Sequence, residues 1–326
     1  MGLGLTGCGP TTFVVGVSPG DRRLLATPVQ RDGQWASRRV MILDVSGTIA
    51  NADAGGLLGP GDNPVAKLDE ALRTAAADPK TAAVILRINT PGGTVTATDM
   101  MYRQVQQFRR STGKPVVAMM MDIATSGGFY LACAADQIVA YPTTITGSIG
   151  VIYQTFSFKP ALDRIGIQTE ALVSGPNKAA GSPLMTLEQE QREILQGLVD
   201  GFYHDFVGVV RGSRTRIKTD NWPMVLDGRV FGGREAEAIG LVDQLGDLDT
   251  AFTVAKRLAG IDRADLFVVH RPLEYVASAY ADAAPPMGAT TSGSTQVNLM
   301  QLNLGGLSSS RAEGACYLWQ PRINVP

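Results

Sequence analysis

Two histidines, three cysteines and almost no net charge bound what this 326-residue chain can do. Cys8, Cys133 and Cys316 form no CxxC pair and no metal spacing, so neither a disulfide framework nor a zinc site is indicated. Cysteine usage therefore sets no compartment. Lys and Arg total 29 against 30 Asp and Glu, a net charge of −1. No global field draws such a chain toward nucleic acid or an anionic membrane. No run is long and apolar enough to span a bilayer. A histidine-dependent mechanism would have to use His204 or His270.

What is present is a globular composition, 44% hydrophobic and 18% charged, with length enough for one large α/β domain or two small ones. Near the start, Leu5-Thr6-Gly7-Cys8 has the form of a bacterial lipobox, whose Cys is lipidated after cleavage. A working signal carries a basic region and about 7–15 apolar residues before the box. Only Met1 to Leu5 precede it, and none is charged. Two readings stand: a chance match in a Gly-rich tail, or the remnant of a lipoprotein signal.

Residues 1–37 mix Gly, Pro, Ser and charge without periodicity and are read as a tail or linker. Residues 40–45, 83–88 and 115–121 are apolar, β-branched runs that predict buried strands. Helical spacing predicts helices over 65–77 and 99–110. Strands alternating with helices imply parallel βαβ units covered on both faces. The pattern continues with a helix over 126–135, a strand at 137–141, and a tight loop at 146–150 leading into another strand. A strand at 166–173 follows, then a long amphipathic helix over 186–211 opened by a capping box, Thr186 with Gln189. A short helix and a closing strand fill 231–245, and residues 266–269 read as a strand. From 283 to 310 the chain is rich in Ala, Gly, Ser and Thr, and this part is expected to be weakly ordered or to dock on a neighbour. The domains predicted are a tail (1–37), an α/β domain (38–275) and a low-complexity segment (276–326).

Three segments have the makings of an acyl-transfer site. Asn89-Thr90-Pro91-Gly92-Gly93 lies where a strand ends and a helix begins, and its glycines leave N–H groups free to stabilise an oxyanion. As a plain turn it needs no function. Thr125-Ser126-Gly127-Gly128 follows a strand, exposes a hydroxyl at a strand-to-helix turn, and places the Gly127 N–H behind it; Ser126 as an ordinary N-cap is the competing reading. The serine needs a base. His204 falls inside the long helix and His270 follows an apolar strand, so neither is well placed. A neutral lysine substitutes for histidine. An ordinary lysine, near pKa 10.4, must fall by about 3 units to serve near neutrality, and burial can achieve this. Lys178 lies in Ser174-Gly175-Pro176-Asn177-Lys178-Ala179-Ala180-Gly181-Ser182-Pro183, with no carboxylate near in sequence. A solvated lysine is the plain alternative.

Taken together, Asn-Thr-Pro-Gly-Gly, Thr-Ser-Gly-Gly-Phe-Tyr, Thr-Gly-Ser-Ile-Gly-Val and Ser-Gly-x-x-Lys-x-x-x-Ser-Pro resemble the signal peptide peptidase A (protease IV) family in order and spacing. Asp227 to Arg234 and Gly240 to Asp243 do so as well, and the resemblance covers about Arg39 to Arg257. It implies a ClpP/crotonase-like α/β fold and a serine endopeptidase with a Ser/Lys dyad. In this resemblance Ser126 is the nucleophile, Lys178 the general base and Ser148 the residue that orients the lysine. Gly93 and Gly127 are the oxyanion donors. It implies hydrolysis of remnant signal peptides or other small membrane-associated peptides at the outer face of a bacterial cytoplasmic membrane. It also implies a homo-oligomeric ring in which the dyad forms across subunits. No cofactor, metal or nucleic acid is called for. Two departures stand out: Thr125 where alanine is usual, and Ala179 where an acidic residue often follows the lysine. Two rivals share the fold, a crotonase-like enzyme acting on a CoA thioester, with Asp122 as its nearest carboxylate, and a non-catalytic membrane-associated scaffold.

Overall fold

The structure, a computed structural model, describes residues 23–33, 36–53, 62–272, 274, 276–281 and 316–318. Cys8 and the lipobox-like residues lie outside the described residues.

The chain begins with β1 (Leu25–Gln30), β2 (Arg39–Ser46), α1 (Pro64–Ala77), β3 (Thr81–Thr90), β4 (Gly92–Thr94), α2 (Val95–Thr112) and β5 (Val116–Thr125). It continues through α3 (Gly127–Ala132), β6 (Gln137–Ala140), β7 (Ile145–Gly147), α4 (Lys159–Arg164), α5 (Gln189–Ser213) and α6 (Trp222–Val225). It closes with β8 (Val230–Gly232), α7 (Gly233–Ile239), β9 (Gln244–Leu245), α8 (Leu248–Leu258), β10 (Asp265–His270) and β11 (Cys316–Leu318).

The main sheet runs β1-β10-β2-β3-β5-β6-β9, with β7 beside the far end of β5 and β8 beside β7. From β10 to β9 every neighbouring pair is parallel. The apolar runs explain this. A strand buried on both faces has no polar side to show, and β3 is buried at every position except Asn89. Its alternate residues feed two cores. Val84, Leu86 and Ile88 pack with Leu68 and Leu72 of α1 and with Met101, Val105 and Phe108 of α2. Ala83 and Ile85 pack with Leu248, Phe252 and Ala255 of α8. This is the mostly parallel α/β architecture, built from stacked βαβ units, expected from the sequence.

One charged pair is buried in the α8-side layer. Asp44 and Arg87 face each other in register on β2 and β3, joined by a bidentate contact of 2.5 and 2.7 Å. The guanidinium also donates to the carbonyls of Ala279 and Ala281. Residues 276–281, assigned to the low-complexity segment, thus cap a buried cation.

Five expectations change. The strand expected after the 146–150 loop does not form, and residues 145–147 are themselves β7. Leu25–Gln30, placed in the tail, is an antiparallel edge strand against β10. Residues 166–173 form no strand. The long helix starts at Gln189 rather than 186, capped by Glu188 with Gln191 in a capping box. Within the C-terminal segment, Cys316–Leu318 pairs antiparallel with β4.

Candidate active site

Parallel sheets gather their functional groups at the carboxyl ends of their strands. Here β3 ends in the Pro91-Gly92-Gly93 turn, β5 in Ser126 and β7 in Ser148. Thr125 of β5 pairs with Gly147 of β7, so the two serines are the next residues on neighbouring strands.

Ser126 sits between strand and helix with φ 53° and ψ −115°. A side chain at positive φ is strained by roughly 1–3 kcal/mol, and such strain persists where surrounding structure enforces it. The enforcement is visible. The Ser126 N–H donates to the Gly147 carbonyl at 2.7 Å, and the Ser126 carbonyl accepts from the Tyr130 N–H at 2.9 Å. The Ser126 hydroxyl is buried and, among the described residues, has no hydrogen-bond partner. A buried hydroxyl without a partner is costly in a structural role. The side chain makes no cap to α3 either, so the N-cap reading is set aside.

The glycines around it answer to close approach. A Cβ on Gly127 would lie 2.7 Å from Thr98 Oγ1 and 3.2 Å from both Gly92 Cα and the Gly93 nitrogen. A Cβ on Gly93 would fall 1.8 Å from the Ile49 carbonyl oxygen. The Gly93 N–H is therefore packed against Gly127, one residue from the nucleophile candidate. Its direction follows from the ladder. The Ile49 N–H donates to the Gly92 carbonyl at 2.8 Å, and the Thr94 N–H donates to the Ile49 carbonyl at 2.9 Å. Both bonds occupy one edge of β4. Successive backbone groups alternate sides in a strand, so the Gly93 N–H and C=O face the opposite edge.

Side chains hold the turns together. Thr90 Oγ1 donates to the Gly47 carbonyl at 2.5 Å and accepts from the Gly92 N–H at 3.0 Å. Thr125 Oγ1 donates to the Pro91 carbonyl at 3.2 Å, tying the nucleophile turn to the Pro-Gly-Gly turn. An alanine at 125 lacks this tie. Ser148 has φ 52°, and its N–H donates to the Arg229 carbonyl at 2.7 Å. Thr98, not singled out in the sequence, has a buried hydroxyl against Gly127 with no partner among the described residues; its helical position gave no signal of that contact.

Ser126, Ser148, Gly93 and Gly127 are thus brought to one end of the sheet. Among the described residues no hydrogen bond joins Lys178 to them. It is exposed, its backbone N–H donates to the Gly175 carbonyl at 3.1 Å, and its amine bonds to none of the described residues. The surrounding arm carries exposed Tyr153, Phe156, Phe158, Ile165, Ile167 and Leu172.

Other groups have other employment. His270 is buried at the end of β10, beside the edge strand β1, where Nε2 bonds Thr27 Oγ1 at 2.8 Å and Nδ1 bonds the Arg271 carbonyl at 2.7 Å. His204 is exposed on α5, and Asp122 is exposed on β5. Burial pushes the Cys133 thiol up to about 11, with Arg214 opposing, which leaves no thiolate nucleophile there. Among the described residues no cluster of His, Cys, Asp or Glu is arranged to hold a metal ion, and no helix is long and apolar enough to cross a membrane.

The model of Peptidase family S49 matches residues 108–262, which include Ser126, Ser148 and Lys178. A putative protease of Synechocystis sp. is 32% identical over 268 residues, covering 82% of this chain and 88% of its own length. The chloroplastic serine protease SPPA of Arabidopsis thaliana is 34% identical over 225 residues, 68% of this chain and 33% of that protein. Protease 4 of Salmonella typhi is 34% identical over 221 residues, 66% of this chain and 35% of that protein. The chain thus spans about a third of the length of the last two.

Proposed function

The chain belongs to peptidase family S49, and from that premise we propose that it is a serine endopeptidase with a Ser126/Lys178 dyad shared between copies of the chain. The observation that carries the reading is the Ser126 hydroxyl, buried, without a partner among the described residues, and held at positive φ beside the Gly93 and Gly127 backbone. An unbonded hydroxyl is costly in a core and useful in a nucleophile.

In this mechanism the neutral Lys178 amine takes the Ser126 proton as Oγ attacks a peptide carbonyl. The carbonyl oxygen, now an anion, is met by the N–H groups of Gly93 and Gly127. The C–N bond breaks, the lysine returns its proton to the leaving amine, and water repeats the sequence on the acyl-serine. Ser148, one strand over from Ser126, orients the lysine. Thr125 holds the two turns at fixed spacing.

The oligomer follows from what a single copy lacks. Lys178 is exposed, and its amine bonds to none of the described residues. The large apolar side chains exposed on its arm form a surface that monomers rarely leave uncovered. A ring of copies covers that surface and brings the lysine of one copy to the serine of its neighbour. Substrates are peptides bound in extended form, with remnant signal peptides the class we favour. The site of action is the outer face of the cytoplasmic membrane, with lipid on Cys8 or another anchor holding the chain there.

The test is hydrolysis of a fluorogenic peptide by the native chain and by Ser126→Ala. Loss of the nucleophile costs on the order of a thousandfold or more. A Ser126→Ala chain within tenfold of the native one contradicts the assignment.

A further inference from the structure

The strand that carries Ser126 changes step just before it. Along β3 and β5, Val84 pairs with Val116 and Ile88 with Met120, but Thr90 pairs with Ala124. One residue of β3, Asn89, thus faces three of β5: Met121, Asp122 and Ile123. On the same stretch β5 exchanges neighbours, leaving β6 after Met120 and joining β7 from Ile123. Extra residues in one strand leave backbone groups without ladder partners. Side chains take up those groups here. The Asn89 Oδ1 accepts from the Ile123 N–H at 3.2 Å. The buried Thr144 Oγ1 donates to the Met121 carbonyl at 2.6 Å, with the Met120 carbonyl at 3.2 Å. The Thr146 Oγ1 donates to the Ala124 carbonyl at 2.7 Å.

We propose that Asn89 is a positioning residue for the peptidase reaction: by holding the Ile123 N–H it fixes the bulge that brings Ser126 level with the Gly93 backbone. The inference rests on the Ser126 reading above. Without the bulge the register would run on from Ile88 and Met120, and Thr90 would face Asp122. The two extra residues draw Ser126 back along β3 by about 7 Å, at about 3.3 Å per residue. Ser126, two residues past Ala124, then stands beside the turn that follows Thr90. There Thr125 bonds the Pro91 carbonyl, and a Cβ on Gly127 would meet the Gly93 nitrogen at 3.2 Å. Bulges recur beside active sites because they re-aim a side chain. Asn89 supplies this one with an acceptor from the strand that leads into the Pro-Gly-Gly turn. One residue therefore ties the strand of the nucleophile to the strand of the oxyanion donor. It acts through β5, not by touching substrate.

Three variants of the full-length chain test it. Asn89→Ala deletes the acceptor, Asn89→Leu fills the same space without one, and Asn89→Asp keeps an Oδ in place. Asn89→Ala is expected to lower kcat for a fluorogenic peptide about tenfold or more with KM within about twofold, because small misplacements cost the transition state and not ground-state binding. Asn89→Leu should show the same split, and it carries the test if Asn89→Ala does not fold. Asn89→Asp should stay within about threefold of the native kcat. A peptide aldehyde forms an adduct with Ser126 that sets an oxyanion against the donors. It should bind Asn89→Ala more weakly by a factor similar to the loss in kcat, while the matching peptide amide binds as it does to the native chain. A second arm reads the bulge without catalysis, by hydrogen exchange of residues 121–125 in a Ser126→Ala background. Exchange about tenfold faster is expected on adding Asn89→Ala, and native-like exchange on adding Asn89→Asp. A smaller loss of kcat, a loss that Asn89→Asp does not restore, or unchanged exchange overturns the proposal. Absence of Ser126-dependent hydrolysis in the native chain overturns the peptidase reading instead, while hydrogen exchange still reports whether Asn89 holds the bulge.

Discussion

Ser126 and Ser148 occupy equivalent places on adjacent parallel strands, each one residue beyond the register pair Thr125 and Gly147. Among the described residues they are the two non-glycine positions with positive φ, at 53° and 52°. Each N–H is anchored by a 2.7 Å bond to a backbone carbonyl, that of Gly147 or of Arg229. Two strained serines side by side at the end of a sheet mark this point as the place where the fold spends stability on geometry.

Gly127→Ala tests how closely that geometry is set. The added methyl meets Thr98 Oγ1 and the Gly92–Gly93 backbone, which displaces the two proposed oxyanion donors together. A fall in kcat/KM of about a hundredfold or more is expected, with the far-ultraviolet circular dichroism unchanged. Activity within threefold of the native chain would show that Gly93 and Gly127 do not frame the reacting oxygen.

Asp44→Ala leaves the Arg87 guanidinium buried without its carboxylate, the Ala279 and Ala281 carbonyls being its remaining partners. Breaking one side of a buried pair costs about 3–5 kcal/mol. Urea denaturation should show a loss of that order, and a smaller loss when Arg87→Met is added. A loss under about 1 kcal/mol would mean that the pair is not sealed from water.

Asp247 caps α8, its carboxylate accepting from the Thr250 N–H at 2.9 Å and from the Thr250 hydroxyl at 2.8 Å. These bonds, the backbone one foremost, hold its pKa below the usual 3.8. A depressed carboxylate contributes stability that is present above its unfolded pKa and is lost as pH falls through its folded pKa. Asp247→Asn should therefore lower the urea midpoint at pH 7 and converge on the native chain as the pH falls below about 3.8. Equal midpoints at both ends of that range would rule out the ionised cap.

Lys178→Arg keeps the charge but cannot supply a neutral amine. Peptidase activity should vanish in this variant. An active arginine variant would assign the base to another residue.

The pieces of the site legible in the sequence were those carried by local pattern. The β-branched run before Ser126 and the small residues after it announced a strand-to-helix turn. The apolar run before His270 set that histidine just after a strand, and the structure has it as the last residue of β10. What stayed hidden depends on tertiary contact. Nothing in the first turn of α2 says that Thr98 abuts Gly127, or that Thr125 bonds the Pro91 carbonyl. Leu25–Gln30 contains Pro28 and lacks alternation, so its strand exists only through pairing with β10. Residues 166–173 have strand-like composition and find no partner strand in a single copy. The start of α5 was ambiguous because Thr186 with Gln189 and Glu188 with Gln191 both fit a capping box, and the second forms. The pairing of Tyr317 with Gly93 joins residues far apart in the chain through backbone alone, which no side-chain pattern encodes.

The central claim is that the Ser126 of one copy works with the Lys178 of another. Mixing inactive Ser126→Ala chains with inactive Lys178→Ala chains, under conditions where subunit exchange is verified by a mass-tagged copy, tests it most directly. Mixed assemblies contain interfaces with an intact serine facing an intact lysine, so the account predicts that peptide hydrolysis reappears on mixing. Verified exchange without any recovered hydrolysis would contradict it.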